Sequence, residues 1–151
     1  IVLAAQDRPA QPQPAPKAPA PGSPAIYKAN ADLQAVLARA MAGTTEMVTS
    51  PVANTDQYRV NIVHRQKPAG AIAHPGNTEL HYIMEGAGTL VTGGKIVRAQ
   101  GAPAGAATIE GGGTRKVAKG DVVIVPEGSP HWYSQVEGKL TYLEVRFVAP
   151  K

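Results

Sequence analysis

Between residues 58 and 148 the chain alternates apolar and polar positions in short runs. Residues 58–64 (YRVNIVH) alternate, and 79–84 and 89–92 have strand composition. The strongest β signals are 121–125 (DVVIV) and 140–148 (LTYLEVRFV). Glycine-rich turns separate these runs at Gly86-Ala87-Gly88, Gly93-Gly94 and 111–113. Evenly spaced short strands of this kind predict a sandwich or a closed barrel. The Gly/Ala-rich stretch 100–113 predicts a long loop between two halves.

Ahead of the β region the apolar period becomes helical. Leu33, Val36, Leu37, Ala40 and Met41 share one face, which predicts a helix over 31–42. Asn30 is the expected cap, Asp32 suits the first turn and Gly43 the stop. Earlier still, residues 9–24 hold seven of the fourteen prolines. Proline fixes φ and lacks an N–H, so neither helix nor sheet is expected there. The segment predicts an extended polyproline II arm. The alternative is a disordered spacer; if ordered, such an arm has no core of its own and is expected on another surface, for example a neighbouring subunit. The chain thus divides into an arm over 1–25 and a barrel domain over 26–151.

Composition narrows the chemistry. There is no cysteine, which excludes disulfides, zinc–thiolate sites and cysteine nucleophiles. The net charge of +4 is scattered, and its densest cluster is Arg115, Lys116 and Lys119. No aromatic residue lies among them to stack on a base, so nucleic-acid binding is not expected. No run of 18 apolar residues exists, so no membrane span is expected. Residues 1–5 (IVLAA), followed by Gln6-Asp7, read as the end of a signal peptide. An exported protein, periplasmic or extracellular, is the expectation.

All four histidines, His64, His74, His81 and His131, fall in the β region. Pro75-Gly76 is a turn signal that lets His74 face Glu79 across a reversal. Strand alternation puts Glu79, His81 and Ile83 on one face and Leu80, Tyr82 and Met84 on the other. Gly120-Asp121 turns into a strand that Pro126 ends, and Gly128 permits the reversal that aims His131 back inside. Two imidazoles converging on a buried carboxylate suit a divalent metal, which offsets the cost of burying the charge. His64 reads as a hydrogen-bonded core or rim histidine. By alternation with His131, Tyr133 rather than Trp132 lines the pocket. Glu144 and Arg146 share a face of the last strand, either a charged pair in the barrel or a solvated face, and the solvated face is the favoured reading.

These residues resemble the cupin superfamily. Gly120, five residues, Pro126, one residue, Gly128, two residues and His131 match its second motif, with Gln135 in place of the trailing Asn. His74, four residues, Glu79, six residues and Gly86 match the latter part of its first motif. The HPGxTE wording is similar to germins, as in a small secreted bacterial cupin. The resemblance spans roughly residues 58–148. It implies an all-β fold, the double-stranded β-helix or jelly-roll barrel, here with a short N-terminal helix and a Pro-rich arm.

The resemblance also implies Mn, Fe, Ni, Co or Zn bound at His74, Glu79 and His131. Ile72 stands where the family's first metal-binding histidine belongs. Cupin-type dimethylsulfoniopropionate lyases also lack that histidine and use a side chain two residues after the glutamate. His81 occupies that position, as a fourth ligand or a general base, with Tyr133 as a second candidate catalytic group. The expected function is a metal-dependent enzyme of dioxygenase, isomerase or lyase type, acting on a small oxygenated molecule. The rival is a non-catalytic, self-assembling subunit whose arm packs on a neighbour. Both readings include a homo-oligomer, for which the outward Tyr82 and Met84 offer a surface.

Overall fold

The computed structural model describes residues 14–43 and 46–148. The signal-peptide reading of residues 1–5, and Pro9 and Pro12 of the arm, lie outside the described residues. Helix α1 (Asn30–Met41) precedes eight strands: β1 (Met47–Asn54), β2 (Tyr58–Arg65), β3 (Asn77–Thr92), β4 (Lys95–Val97), β5 (Thr108–Glu110), β6 (Gly113–Ala118), β7 (Val122–Val125) and β8 (His131–Val148). The main sheet is antiparallel in the order β1-β2-β8-β3-β6, with β7 also on β3, and β4 pairs with β5.

The two runs at 79–84 and 89–92 are one strand, β3, and 140–148 is the second half of β8. Each strand is long enough to serve both halves of the barrel. Bulges between Ile83 and Glu85, and between Gly86 and Gly88, let β3 bend without leaving β8. Gly86 sits at that bend with φ +82°, and a Cβ there would lie 1.9 Å from the Lys139 carbonyl oxygen. Only glycine fits so close a crossing of β3 and β8. The stretch 100–113 is not one loop, because it contains a 3₁₀ turn (Ala104–Ala106) and β5.

Alternation sets the two faces. Glu79, His81 and Ile83 are buried, whereas Tyr82 is exposed and Leu80 and Met84 are half-buried. Val63, Ile83, Leu90, Val117, Tyr133, Leu140 and Tyr142 form the core. Helix α1 buries Leu37, and with His64 and Thr141 it lines a cavity at the Arg65 end of β2. The expected Asn30 cap is absent: Ala29 is the N-cap residue, and Asn30 Oδ1 instead accepts from Gln34 Nε2 at 3.4 Å.

The described part of the arm is held by the barrel of its own chain. The Pro16 carbonyl accepts the Asp56 N–H at 2.8 Å, and the Ala18 N–H donates to Asp56 Oδ1 at 2.8 Å. Lys17 Nζ lies 3.2 Å from Asp56 Oδ2. Proline lacks a donor but keeps its carbonyl, so one aspartate on the β1–β2 turn can hold this segment by both its main chain and its side chain.

Candidate metal centre

Two turns place the histidines. After His74, Gly76 takes φ +79° and the Asn77 N–H donates to the His74 carbonyl at 3.3 Å, so the chain reverses into β3. The Gly128 N–H donates to the same carbonyl at 3.3 Å. Ile72 and His131 exchange main-chain bonds of 3.1 and 2.9 Å. The approach to β3 and the approach to β8 are therefore stapled together. The staple sets His74 and His131 side by side, with ring centroids 5.4 Å apart.

Glu79 lies between them and is 1% exposed. Its Oε1 contacts His74 Nδ1. Its Oε2 lies 3.1 Å from His81 Nε2 and 3.6 Å from His131 Nε2. Burial opposes ionisation of this carboxyl, but hydrogen bonds with His74 and His81 outweigh it. The pKa is held well below the ordinary carboxylate range. Burial lowers the pKa of His131, so its neutral ring is favoured. His131 Nδ1 lies 3.1 Å from the Ser129 carbonyl, which can only accept, so this nitrogen carries the proton. Nε2 then presents a lone pair toward Glu79 Oε2. Two acceptors face each other with no proton between them, an arrangement that a cation satisfies. The donor set, two imidazoles and a carboxylate, suits a first-row divalent metal.

His81 is occupied on both sides. Its Nε2–H donates to the carboxylate and its Nδ1 accepts from Tyr133 Oη at 2.9 Å. The resulting chain runs Tyr133–His81–Glu79, with His81 1% exposed. Burial, followed by the nearby Tyr142, raises the Tyr133 pKa above the ordinary phenol value. Tyr142 is pushed up to about 12 by burial, although Arg65 opposes the shift. Arg65 Nε donates to Tyr142 Oη at 3.0 Å. His64 lies away from this cluster, buried, with Nδ1 2.8 Å from Thr141 Oγ1. Trp132 Nε1 donates to the Ala69 carbonyl at 2.7 Å.

One reading is overturned. Glu144 and Arg146 are not a solvated face: Glu144 is buried, accepting from Asn61 Nδ2 and Arg146 Nη2, both at 3.1 Å. Glu144 stands opposite His81 on β3 and Asn61 on β2, and Arg146 stands opposite Glu79. A second group, Glu79, His81 and Glu144, brings ligand atoms within 4.8 Å of one another. There Arg146 already supplies the positive charge, with Nε 3.0 Å from Glu144 Oε1 and 4.0 Å from Glu79 Oε2. The first group, His74, Glu79 and His131, is therefore the better cation site. Asn61, Glu144 and Arg146 escape a sequence reading because only the β2–β8–β3 register brings them to Glu79.

The cupin family profile matches residues 42–140, about two thirds of the chain. The chain belongs to the cupin family. Solved structures match its fold at low identity. The Schizosaccharomyces pombe Cnp3 cupin domain is 11% identical, covering 70% of this chain and 67% of that one, with a TM-score of 0.53. HppE in its Fe(II) form is 19% identical, covering 68% and 51%, with a TM-score of 0.53. This cupin thus spans about half the length of HppE, of which a Co(II) form with substrate is also known. A predicted oxalate decarboxylase from Thermotoga maritima is 16% identical, covering 68% and 81%, with a TM-score of 0.51. No curated protein matches this cupin in sequence. In this family member, Ile72 is 43% exposed at the barrel mouth.

Proposed function

We propose that this cupin holds a divalent transition metal on His74, Glu79 and His131 and uses it to transform a small oxygenated molecule. The reading includes closure of the sheet as the double-stranded β-helix. One observation carries it: ligand atoms of His74, buried Glu79 and His131 lie within 4.8 Å of one another, with His131 Nε2 3.6 Å from Glu79 Oε2. A purely structural barrel gains nothing from burying that arrangement. Fe(II) and Co(II) forms of HppE give a precedent for the metal type among similar folds. The bound metal would act as a Lewis acid toward a carbonyl or hydroxyl oxygen, or toward water or dioxygen.

The chain's own groups have separate tasks. His74 is half-buried and the most accessible of the three proposed ligands. His81 fixes the Glu79 carboxylate through Nε2–H. Tyr133 fixes the tautomer of His81 and can pass a proton along the same line, with His81 as general base.

Ile72, in the place of a fourth ligand, favours a second reading as a non-catalytic binding module. The two readings separate on Co(II) titration followed by visible absorption. The enzyme reading expects a saturable ligand-field band at one equivalent in the wild type, and none in Glu79→Ala. A featureless spectrum in the wild type at one equivalent would contradict the metal site and leave the binding module.

A further inference from the structure

We propose that Arg59 and Arg146 form an oxyanion-binding site beside the candidate metal centre, bordered by residues 15–18 of the same chain. Its occupant is the carboxylate or phosphoryl end of the small molecule. That last assignment rests on the metal-enzyme reading, whereas the anion site itself does not.

The argument begins with register. Arg59 on β2 and Arg146 on β8 are direct partners, and Arg146 is in turn the partner of Glu79 on β3. Direct partners project from the same face. The neighbouring row on that face is Asn61, Glu144 and His81, all buried. The face points into the barrel at that row; one row further out, at its open end, Arg146 is half-buried and Arg59 is exposed. Like charges directly opposite each other are destabilising unless an anion lies between them.

The anions already present are committed. Glu144 takes Arg146 Nη2 and Asn61. Asp56 is the one acid lining the cavity, and it is turned toward the arm, where Lys17 and the Ala18 N–H hold it. Those two contacts, the amide first, keep its pKa below the ordinary value. Among the described residues, the Arg59 guanidinium has no ion-pair or hydrogen-bond partner. Arg146 is paired with Glu144, but its buried Nε, 3.0 Å from Glu144 Oε1, makes no aligned hydrogen bond, so Arg59 is the cation of the two without a protein partner among the described residues.

Space is available. A cavity of about 310 Å³ is lined by both arginines together with Tyr58, Asn77 and, from the arm, Ala15. That volume suits a small ligand. Guanidinium forks match the two-oxygen edge of a carboxylate or a phosphoryl group. Arg146 connects the cavity to the metal cluster, because its Nε lies 4.0 Å from Glu79 Oε2. The arm explains itself in the same picture. Pro16, Lys17 and Ala18 dock on Asp56 at the cavity edge, which places Ala15 in the cavity wall.

Calorimetric titration of the full chain with inorganic phosphate and, separately, with oxalate tests this. The protein is first stripped with a chelator, so that no metal contributes. The expected result is saturable binding of at least one anion, weakened tenfold or more in Arg59→Gln and severalfold in Asp56→Ala. Circular dichroism should show both variants folded. Stronger binding of one anion identifies the phosphoryl or the carboxylate source. Absence of saturable binding to the folded wild type, or equal binding in a folded Arg59→Gln, overturns the site. Should Arg59→Gln fail to fold, Arg59→Lys, which keeps the charge but loses the fork, must weaken binding severalfold; equal affinity there overturns the site too. Because the stripped protein is used, failure of the metal reading leaves this result intact. Anion binding that appears only with metal restored, and ignores Arg59, would overturn the arginine site while sparing the metal centre.

Discussion

At the scale of single residues, the cupin spends its polarity in one place. Burying a lone carboxylate costs several kcal/mol even after relaxation. Each charge-assisted hydrogen bond returns roughly 1.5–3 kcal/mol. Glu79 has hydrogen-bond partners in His74 and His81, and a cation between it and His131 would supply the remaining compensation. Convergence of these residues was legible, because a Pro-Gly turn and strand alternation are local signals. The Glu144–Arg146 pair was misread, because its partners Asn61 and His81 lie 83 and 63 positions away and only register joins them.

His64 supplies a prediction at this scale. Its burial, together with Lys139, lowers its pKa below 6.5, while Glu85 opposes the shift. A depressed histidine pKa adds stability that is complete above the unfolded value, near 6.5, and is lost as pH falls through the folded value. The melting temperature should therefore drop more steeply between pH 7 and 5 in the wild type than in His64→Gln. Parallel curves would show that His64 contributes nothing to the acid lability.

At the scale of elements, β3 and β8 are the frame. Sequence alternation gave their pieces but not their continuity, since bulges and glycines interrupt the pattern at the bend. The helix was legible to within one residue at each end, because its apolar period is local. Its cap was not, because Asn30 satisfies a side chain instead of an amide. Gly86 is the position where the frame is most exposed to mutation. Gly86→Ala demands both a left-handed backbone and relief of a 1.9 Å approach to Lys139 O. We expect a loss of at least about 2 kcal/mol, read as a lowered midpoint in urea. Gly76→Ala, with nothing within 4 Å of the added carbon, should cost less. Equal losses would contradict the crossing argument.

At the scale of the whole molecule, the barrel has two differently finished ends. Helix α1 covers the end with His64, and the arm lies at the end with Arg59, Arg146 and the Glu79 cluster. Composition revealed the arm but could not say what it touches, because a single aspartate in a turn decides that. The outer face of β3 and β7 exposes Tyr82 beside Val122, with Ile124 two residues on. Such an apolar strip fits pairing with a second copy. Light scattering should show a dimer or larger species for the wild type and a monomer for Val122→Glu with Ile124→Glu. A monomeric wild type would remove the homo-oligomer.

The central claim is a metal on His74, Glu79 and His131. Elemental mass spectrometry of the purified protein, beside His131→Ala, tests it most directly. The account predicts close to one equivalent of Mn, Fe, Ni, Co or Zn in the wild type and a loss of at least tenfold in the variant. A folded wild type that retains no metal after reconstitution, or a variant that keeps its full complement, would contradict it.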